Sequence, residues 1–385
     1  MNENMPARPD ASARRPRVAV VFGGRSSEHA ISCVTAAGVM AAIDRDRYEV
    51  VPVGITTAGR WVLASDDPAR WQITDGRLPE VDPEVAPGTA ITLEQGVGSD
   101  QLVVLEPGRA PQVLGQVDVV FPLLHGPYGE DGTLQGLLEL SDTRYVGAGV
   151  LSSALSMDKH YMKAVLSAHS LPIGPYLVIL PSDWENDPEA ATRAVAGLGF
   201  PVFVKPARAG SSMGITKVSR VQEVHAAVEV ARLHDPKVVV EAAVEGREVE
   251  CGVLQDIDGG PPLTSEPGEV EVVAGSGHDF YDFEAKYLDS DGVRLTCPAD
   301  LPPQVAQAVR RVAARTFVAM GCEGLARVDV FVTPDQRVLV NELNTMPGFT
   351  PTSMYPRMWE QSGVPYADLV ERLLQLALRR PVGLR

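Results

Sequence analysis

The apolar pattern of the chain opens with RVAVVFGG (residues 17–24), a β-branched run that ends in glycines, followed by EHAISCVTAAGVMAAI (28–43), whose apolar positions recur at helical spacing. YEVVPVGI (48–55) supplies the next strand, and a strand, helix, strand opening predicts an α/β domain with a parallel sheet. Between residues 57 and 115 the periodicity fades, glycine, proline, aspartate and glutamate accumulate, and only short alternating runs such as DQLVVLEP survive. That composition predicts an insertion of hairpins and loops. VDVVFPLLHG then returns as a buried strand, and TLQGLLEL follows as a helix entered through PYGEDG.

A mostly helical connection, RYVGAGVLSSALSMDKHYMKAVLSAH, leads to the strand YLVIL and the helix PEAATRAVAGLGF. PVFVKP, a glycine-rich loop, GITKVS, the helix VQEVHAAVEVARLH and the strand KVVVEAAV complete a smaller mixed domain over residues 151–245. The remainder, 246–385, reads as α+β. It holds EVECGVLQ, GEVEVV, the polar and aromatic loop GSGHDFYDFEAKYLDSDG, the helix PPQVAQAVRRVAARTFVAM, the pair LARVDVFV and RVLVNELN, and a final helix near YADLVERLLQLAL. Three domains are expected: 17–150 with the insertion 57–115, then 151–245, then 246–385.

The last strand pair carries the densest chemistry. TPDQ joins RVDVFV to RVLVNELN as a β-hairpin. If Val332 pairs with Arg337, side chains two apart share a face, and Arg327 and Asp329 lie with Glu342 and Asn344. Two carboxylates and an amide oxygen suit Mg²⁺, which takes oxygen ligands and shares them with phosphates; without His or Cys, zinc is a poor match. The same pattern fits a solvated strand face with an Arg and Glu cross-strand pair, so the hairpin alone leaves both readings open. TMPGFTPTS then places Gly348 in a loop beside those residues, where its backbone amide suits an oxyanion or simply a turn.

VFVKPARAGSSMGI lacks the Walker pattern, yet Lys205, Gly210, Ser211, Ser212 and Gly214 offer the donors a phosphate needs. Lys159 in SMDKHYMK stands near a helix start and reaches toward the same phosphates or to solvent. Glu28 in FGGRSSEHAIS sits at a helix entrance, where a carboxylate also suits the helix dipole.

Bulk composition narrows the field. At 385 residues, 45% hydrophobic and 22% charged, the chain reads as a globular protein of two or three domains. Its net charge of −16 argues against a nucleic-acid or anionic-membrane surface. Cys33, Cys251, Cys297 and Cys322 are scattered without a C-x-x-C pair, which suits reduced thiols. Residues 1–16, polar and proline-rich, read as a frayed tail and not as a signal peptide, and no run approaches a membrane span, so a cytoplasmic location is expected.

FGGRSSEHAIS, HGPYGEDGTLQG, SMDK, VKPARAGSSMGI, FYDFEAKY, RVDVF and NELNTMPGFTPTS, in this order, resemble the ATP-grasp enzymes and, within them, the D-alanine-D-alanine ligases, over nearly the whole chain from Arg17 onward. The resemblance implies a three-domain ATP-grasp fold, with ATP between the central and C-terminal domains. It implies joining of two D-alanines through a D-alanyl phosphate for peptidoglycan precursors, or, as the alternative, joining D-alanine to D-lactate or D-serine. It also implies a homodimer and two Mg²⁺ or Mn²⁺ ions. By the same resemblance Lys159, Lys205 and Ser212 meet ATP phosphates, Glu241 and Val244 lie along the adenine, Glu248 takes the ribose, and Lys286 reaches the transferring phosphate from a loop. Asp329, Glu342 and Asn344 match metal ligands, with Glu342 bridging, and Arg327 and the Gly348 amide match the groups that stabilise the tetrahedral intermediate. Glu28 matches the holder of the first D-alanine ammonium, tied to Ser211 and Tyr287; His125 belongs to the same region, and Ser353 with Met354 matches the clamp on the second carboxylate. Ala209, Ala242 and Ala243 depart from the residues many relatives carry near the nucleotide.

Overall fold

The computed structural model describes residues 14–74, 77–81, 90–93, 101–106, 108–272 and 293–382. The expected lid loop over residues 275–292 and most of the expected tail lie outside them, as do Lys286 and Tyr287.

Four sheets organise the described residues. In the first, β1 (Arg17–Gly23) and β2 (Glu49–Ile55) run parallel, β3 (Trp61–Leu63) pairs antiparallel with β2, and helix α1 (His29–Ala42) connects the first two strands. The insertion then forms its own antiparallel sheet from β4 (Ala90–Leu93), β5 (Gln101–Leu105) and β6 (Gln112–Gln116), and β7 (Val119–Pro122) returns beside β1. Val18, Ala19, Val20, Val21 and Phe22 are all buried, because a parallel strand covered on both faces needs a continuous apolar run and not an alternating one. Gly23, at a φ of +89°, ends β1 where a Cβ would lie 2.4 Å from the Ile55 carbonyl oxygen, so the turn toward Glu28 needs glycine.

After α2 (Thr133–Leu140), the helical connection breaks in two, α3 (Val150–Met157) and α4 (Lys159–Ala168). Asp158 is the break: its carboxylate accepts from the N–H groups of His160 (3.1 Å) and Tyr161 (3.4 Å), which caps α4 and turns Lys159 inward. The second sheet is antiparallel in the order β10-β9-β11-β8, from β8 (Tyr176–Ile179), β9 (Val202–Pro206), β10 (Thr216–Val218) and β11 (Val238–Ala242). The third contains β12 (Arg247–Leu254), β13 (Leu263–Thr264), β14 (Gly268–Val272), β15 (Val293–Thr296), β16 (Leu325–Val332) and β17 (Val338–Asn344). A helix at Met354–Gln361, which the sequence pattern did not single out, follows the loop after β17.

The β16 and β17 register corrects one expectation. Val332 pairs with Val338, not Arg337, because Thr333 and Arg337 close the turn through the Thr333 N–H to the Arg337 carbonyl (3.0 Å). With that register alone, Glu342 would continue the inward face of Val338 and Val340. A β-bulge between Asp329 and Val330 shifts the pairing, so that Asp329 faces Glu342 and Arg327 faces Asn344. The shared polar face survives through the bulge, while Leu343 takes the buried position. Among the described residues no helix is long and apolar enough to cross a membrane.

Candidate active site

Two cavities meet where the sheets converge. One, of about 330 Å³, is lined by Glu28, His125, Lys159, Ser211, Asn344, Gly348, Ser353 and Met354 among others. The other, of about 470 Å³, is lined by Lys205, Glu241, Val244, Glu248 and Asp329 among others. Ser212, Ile215, Glu250, Arg327 and Glu342 line both and so form the wall between them. Apart from Gly214, which lines neither, the site residues expected from the sequence and lying in the described part of the chain border one of these cavities.

Arg327 dominates the wall electrostatically. Its Nε and Nη2 donate to the two oxygens of Asp329, both at 2.7 Å, and Nε lies 3.2 Å from a buried Glu250 oxygen. Burial opposes its charge, but Asp329 and Glu250 outweigh that and hold the guanidinium well above its usual range. Asn344 donates through Nδ2 to Asp329 (3.0 Å), and Lys159 stands 4.0 Å from Glu342 while donating to the Ala209 carbonyl at 3.0 Å. The carboxylates on this wall already attract positive groups, as hard-oxygen metal ligands do. Among the described residues no three His, Cys, Asp or Glu side chains gather into a metal-holding group; the ligands expected on this wall are two carboxylates and an amide. That incomplete set fits Mg²⁺ sharing its remaining positions with phosphate oxygens and water.

Lysine chemistry continues in the second cavity. Lys205 on β9 and Lys163 on α4 flank Glu241 on β11 at 3.0 and 3.2 Å. Burial opposes ionisation of Glu241, yet the two lysines hold it down to about 2 from an ordinary 4.5. For Lys205, Glu241 and Glu342 outweigh burial and push it up, whereas burial pushes Lys163 down. Glu241→Gln should leave two buried cations without this carboxylate and cost about 3 kcal/mol at neutral pH. Because the folded form holds Glu241 below its ordinary value, this stabilisation is complete above pH 4.5 and fades as pH falls toward 2. Urea midpoints measured at pH 7, 4.5 and 3 should therefore show the gap between wild type and variant closing with acid; a gap independent of pH counts against the ion-pair account.

Glu28 is buried at the entrance of α1 but makes no capping hydrogen bond there. Its carboxylate instead accepts from the Ser211 hydroxyl, which bridges the first domain to the glycine loop between β9 and β10. Gly126 and Gly210 pack against it so closely that a Cβ on either would lie 2.9 Å from Glu28 Oε2. Those two glycines therefore leave room for the carboxylate and for whatever binds it. His125 donates from Nδ1 to the Met346 carbonyl (3.2 Å) and accepts from Thr35 at Nε2 (3.4 Å); burial pushes its pKa down, which favours the neutral ring.

Three charged residues were missed by sequence reasoning. Lys163 stands one helical turn after Lys159 on a stripe with Met162 and Leu166, and a lysine on an apolar stripe was the available signal. Glu250 follows Glu248 two residues on in β12, so the spacing put both carboxylates on one strand face. Glu130, in the turn before α2, accepts from the N–H groups of Gly126 (2.6 Å) and Met346 (3.1 Å). Burial and the nearby Glu28 charge push it up to about 8, against those N–H groups and Arg327, which favour its ionised form.

Comparison with known proteins matches this architecture. The family model for the D-ala D-ala ligase N-terminus covers residues 17–148, and that for the D-ala D-ala ligase C-terminus covers 165–375. A D-alanine-D-alanine ligase of Kineococcus radiotolerans is 65% identical, over 97% of this chain and 100% of the relative. One from Streptomyces griseus is 56% identical over the full length of both. Among solved structures, a D-Ala:D-Ser ligase from Enterococcus faecalis superposes with a TM-score of 0.80 at 33% identity, covering 94% of this chain and 100% of the other. A D-alanine-D-alanine ligase from Coxiella burnetii superposes with a TM-score of 0.77 at 35% identity, covering 95% and 94%.

Proposed function

The chain belongs to the D-alanine-D-alanine ligase family of ATP-dependent ligases, and from that premise we propose how its residues divide the work of joining two D-alanines. The observation that carries the assignment is the wall shared by the two cavities, because it puts Arg327 and Glu342 between a lysine-lined space and a space holding Glu28 and Gly348. ATP occupies the larger cavity, with Lys205, Lys159 and Ser212 on its phosphates. Glu248 takes the ribose and the segment from Glu241 to Val244 borders the adenine, whereas the Glu241 side chain is engaged by Lys163 and Lys205.

Both amino acids occupy the smaller cavity. Glu28, oriented by Ser211, holds the first ammonium, His125 borders it, and Ser353 and Met354 meet the second carboxylate. A carboxylate resists attack by an amine, so it is first phosphorylated to D-alanyl phosphate. Mg²⁺ or Mn²⁺ held by Asp329, Glu342 and Asn344 supplies neutralisation of the phosphate charge. Arg327 and the Gly348 N–H then stabilise the oxygen that gains charge as the second amino group attacks. Lys286 and Tyr287, outside the described residues, are assigned to the transferring phosphate and to Ser211 on the motif resemblance alone. We also assign three domains at 17–150, 151–245 and 246–385, a homodimer and a cytoplasmic location, where ATP is at hand. Joining D-alanine to D-lactate or D-serine is not favoured, given the identity to full-length dipeptide ligases.

Incubation with ATP, Mg²⁺ and D-alanine should release one phosphate per D-alanyl-D-alanine, followed by phosphate assay and product mass. Parallel reactions with D-lactate or D-serine as second substrate should give little mixed product. Absence of D-alanyl-D-alanine, or predominance of a mixed product, overturns the assignment.

A further inference from the structure

Gly348 sits two residues beyond Met346, and both polar groups of Met346 are held from the opposite side of the cleft. Its carbonyl accepts from His125 Nδ1 at 3.2 Å, and its N–H donates to Glu130 Oε1 at 3.1 Å. The other Glu130 oxygen accepts from the Gly126 N–H at 2.6 Å, directly after His125 in the chain. The turn of residues 125–130 thus grips the loop after β17 at two points, and Glu130 joins the two loops through one carboxyl group. Both its oxygens face N–H donors, so any group that replaces one oxygen with a donor breaks one side of the link.

We propose that Glu130 is a positioning residue for the ligation step, fixing the loop that presents the Gly348 amide to the reacting oxygen. It touches neither reacting atom. The claim rests on the assignment of Gly348 as an oxyanion donor, and it names the element that sets that donor's place. A hydrogen-bond donor must be aimed within a few tenths of an ångström to stabilise developing charge; the Tyr366 hydroxyl holds the loop on the far side of Gly348 through the Phe349 carbonyl (2.8 Å), and Glu130 with His125 holds it on the near side at Met346. Glu28 adds a link to substrate. With the first amino-acid site filled, the ammonium group assigned to Glu28 offsets the charge that opposes ionisation of Glu130 and favours the carboxylate, the form whose two oxygens both accept without carrying a proton.

The consequence is confined to the second half of the reaction. Phosphorylation of the first carboxylate does not use the Gly348 amide, whereas attack on the acyl phosphate does. In Glu130→Gln one amide N–H meets a side-chain NH₂ in place of an oxygen. Turnover should fall about 10- to 100-fold, with the KM for ATP changing by less than about threefold. Rapid quench after mixing with ATP and D-alanine, reading ADP and dipeptide together, should show ADP running ahead of dipeptide by up to about one equivalent per site. Wild type should form the two in step. Glu130→Asp, which keeps the acid but shortens its reach, should give the same separation and serves if the glutamine variant folds poorly.

Gly348→Pro, which deletes the amide hydrogen itself, is the reference. If it separates ADP from dipeptide while both Glu130 variants keep them in step, the role of Glu130 is refuted and that of Gly348 stands. If neither Glu130 nor Gly348 variants separate them, the Gly348 assignment fails as well. A uniform loss of both half-reactions in the Glu130 variants marks a residue needed only for folding and overturns the proposal.

Discussion

Glu342→Gln should lower turnover about a thousandfold while nucleotide binding persists. Glutamine matches the shape of glutamate and can occupy the same bulged position, so the strand pairing of Asp329 with residue 342 should hold. What is lost is one negative charge on the wall common to both cavities, at the place where the proposed function brings phosphate oxygens and a divalent ion together. Lys159, 4.0 Å from Glu342, loses a counter-charge, and Lys205 loses one of the carboxylates that raise its pKa. Both lysines should then bind phosphate at least as readily, which is why affinity and turnover should separate. Steady-state rates across a Mg²⁺ series, with calorimetric titration of a non-hydrolysable ATP analogue, test this. Turnover within tenfold of wild type at saturating Mg²⁺ would refute the metal assignment.

The same residue shows how far the sequence could be read. Alternation of valine with polar residues located β16 and β17, and their turn-rich joint located the hairpin. The pattern VLVNELN also contains the phase change itself, since Val338 and Val340 are buried and Leu343, not Glu342, takes the next inward place. A bulge was the physical way to keep a carboxylate out of the apolar layer, but periodicity gives only the need for one and not its position. Glu28 was legible for a different reason: a carboxylate beside a glycine turn suggested either a helix dipole or a binding site. Its partner, Ser211, is 183 residues away in the chain, and no local pattern reports such a contact. Glu130, Glu250 and Lys163 escaped for that reason too. Their importance comes from burial and from partners on other elements, namely Met346, Arg327 and Glu241.

Arg327→Lys should reduce turnover about 100- to 1,000-fold and also lower stability by about 3 kcal/mol, although the formal charge is unchanged. The guanidinium spans two carboxylates with a planar fork: Asp329 is gripped through Nε and Nη2, and the buried Glu250 lies 3.2 Å from Nε. An ammonium is a point donor on a shorter reach, and it cannot satisfy both acids in that geometry. One buried carboxylate is then left poorly compensated, which accounts for the stability loss. The catalytic loss has a separate origin, because an arginine fixed on two sides keeps its guanidinium in place on the wall of the smaller cavity at no reorganisation cost. Chemical denaturation and steady-state kinetics on the same preparation distinguish the two effects. A Glu250→Gln variant should share the stability loss yet keep more of the turnover, since Asp329 still grips the guanidinium at both ends. If Arg327→Lys loses stability but turns over within fivefold of wild type, the guanidinium serves only to neutralise Asp329 and Glu250, and stabilisation of the tetrahedral oxygen falls to the Gly348 amide alone.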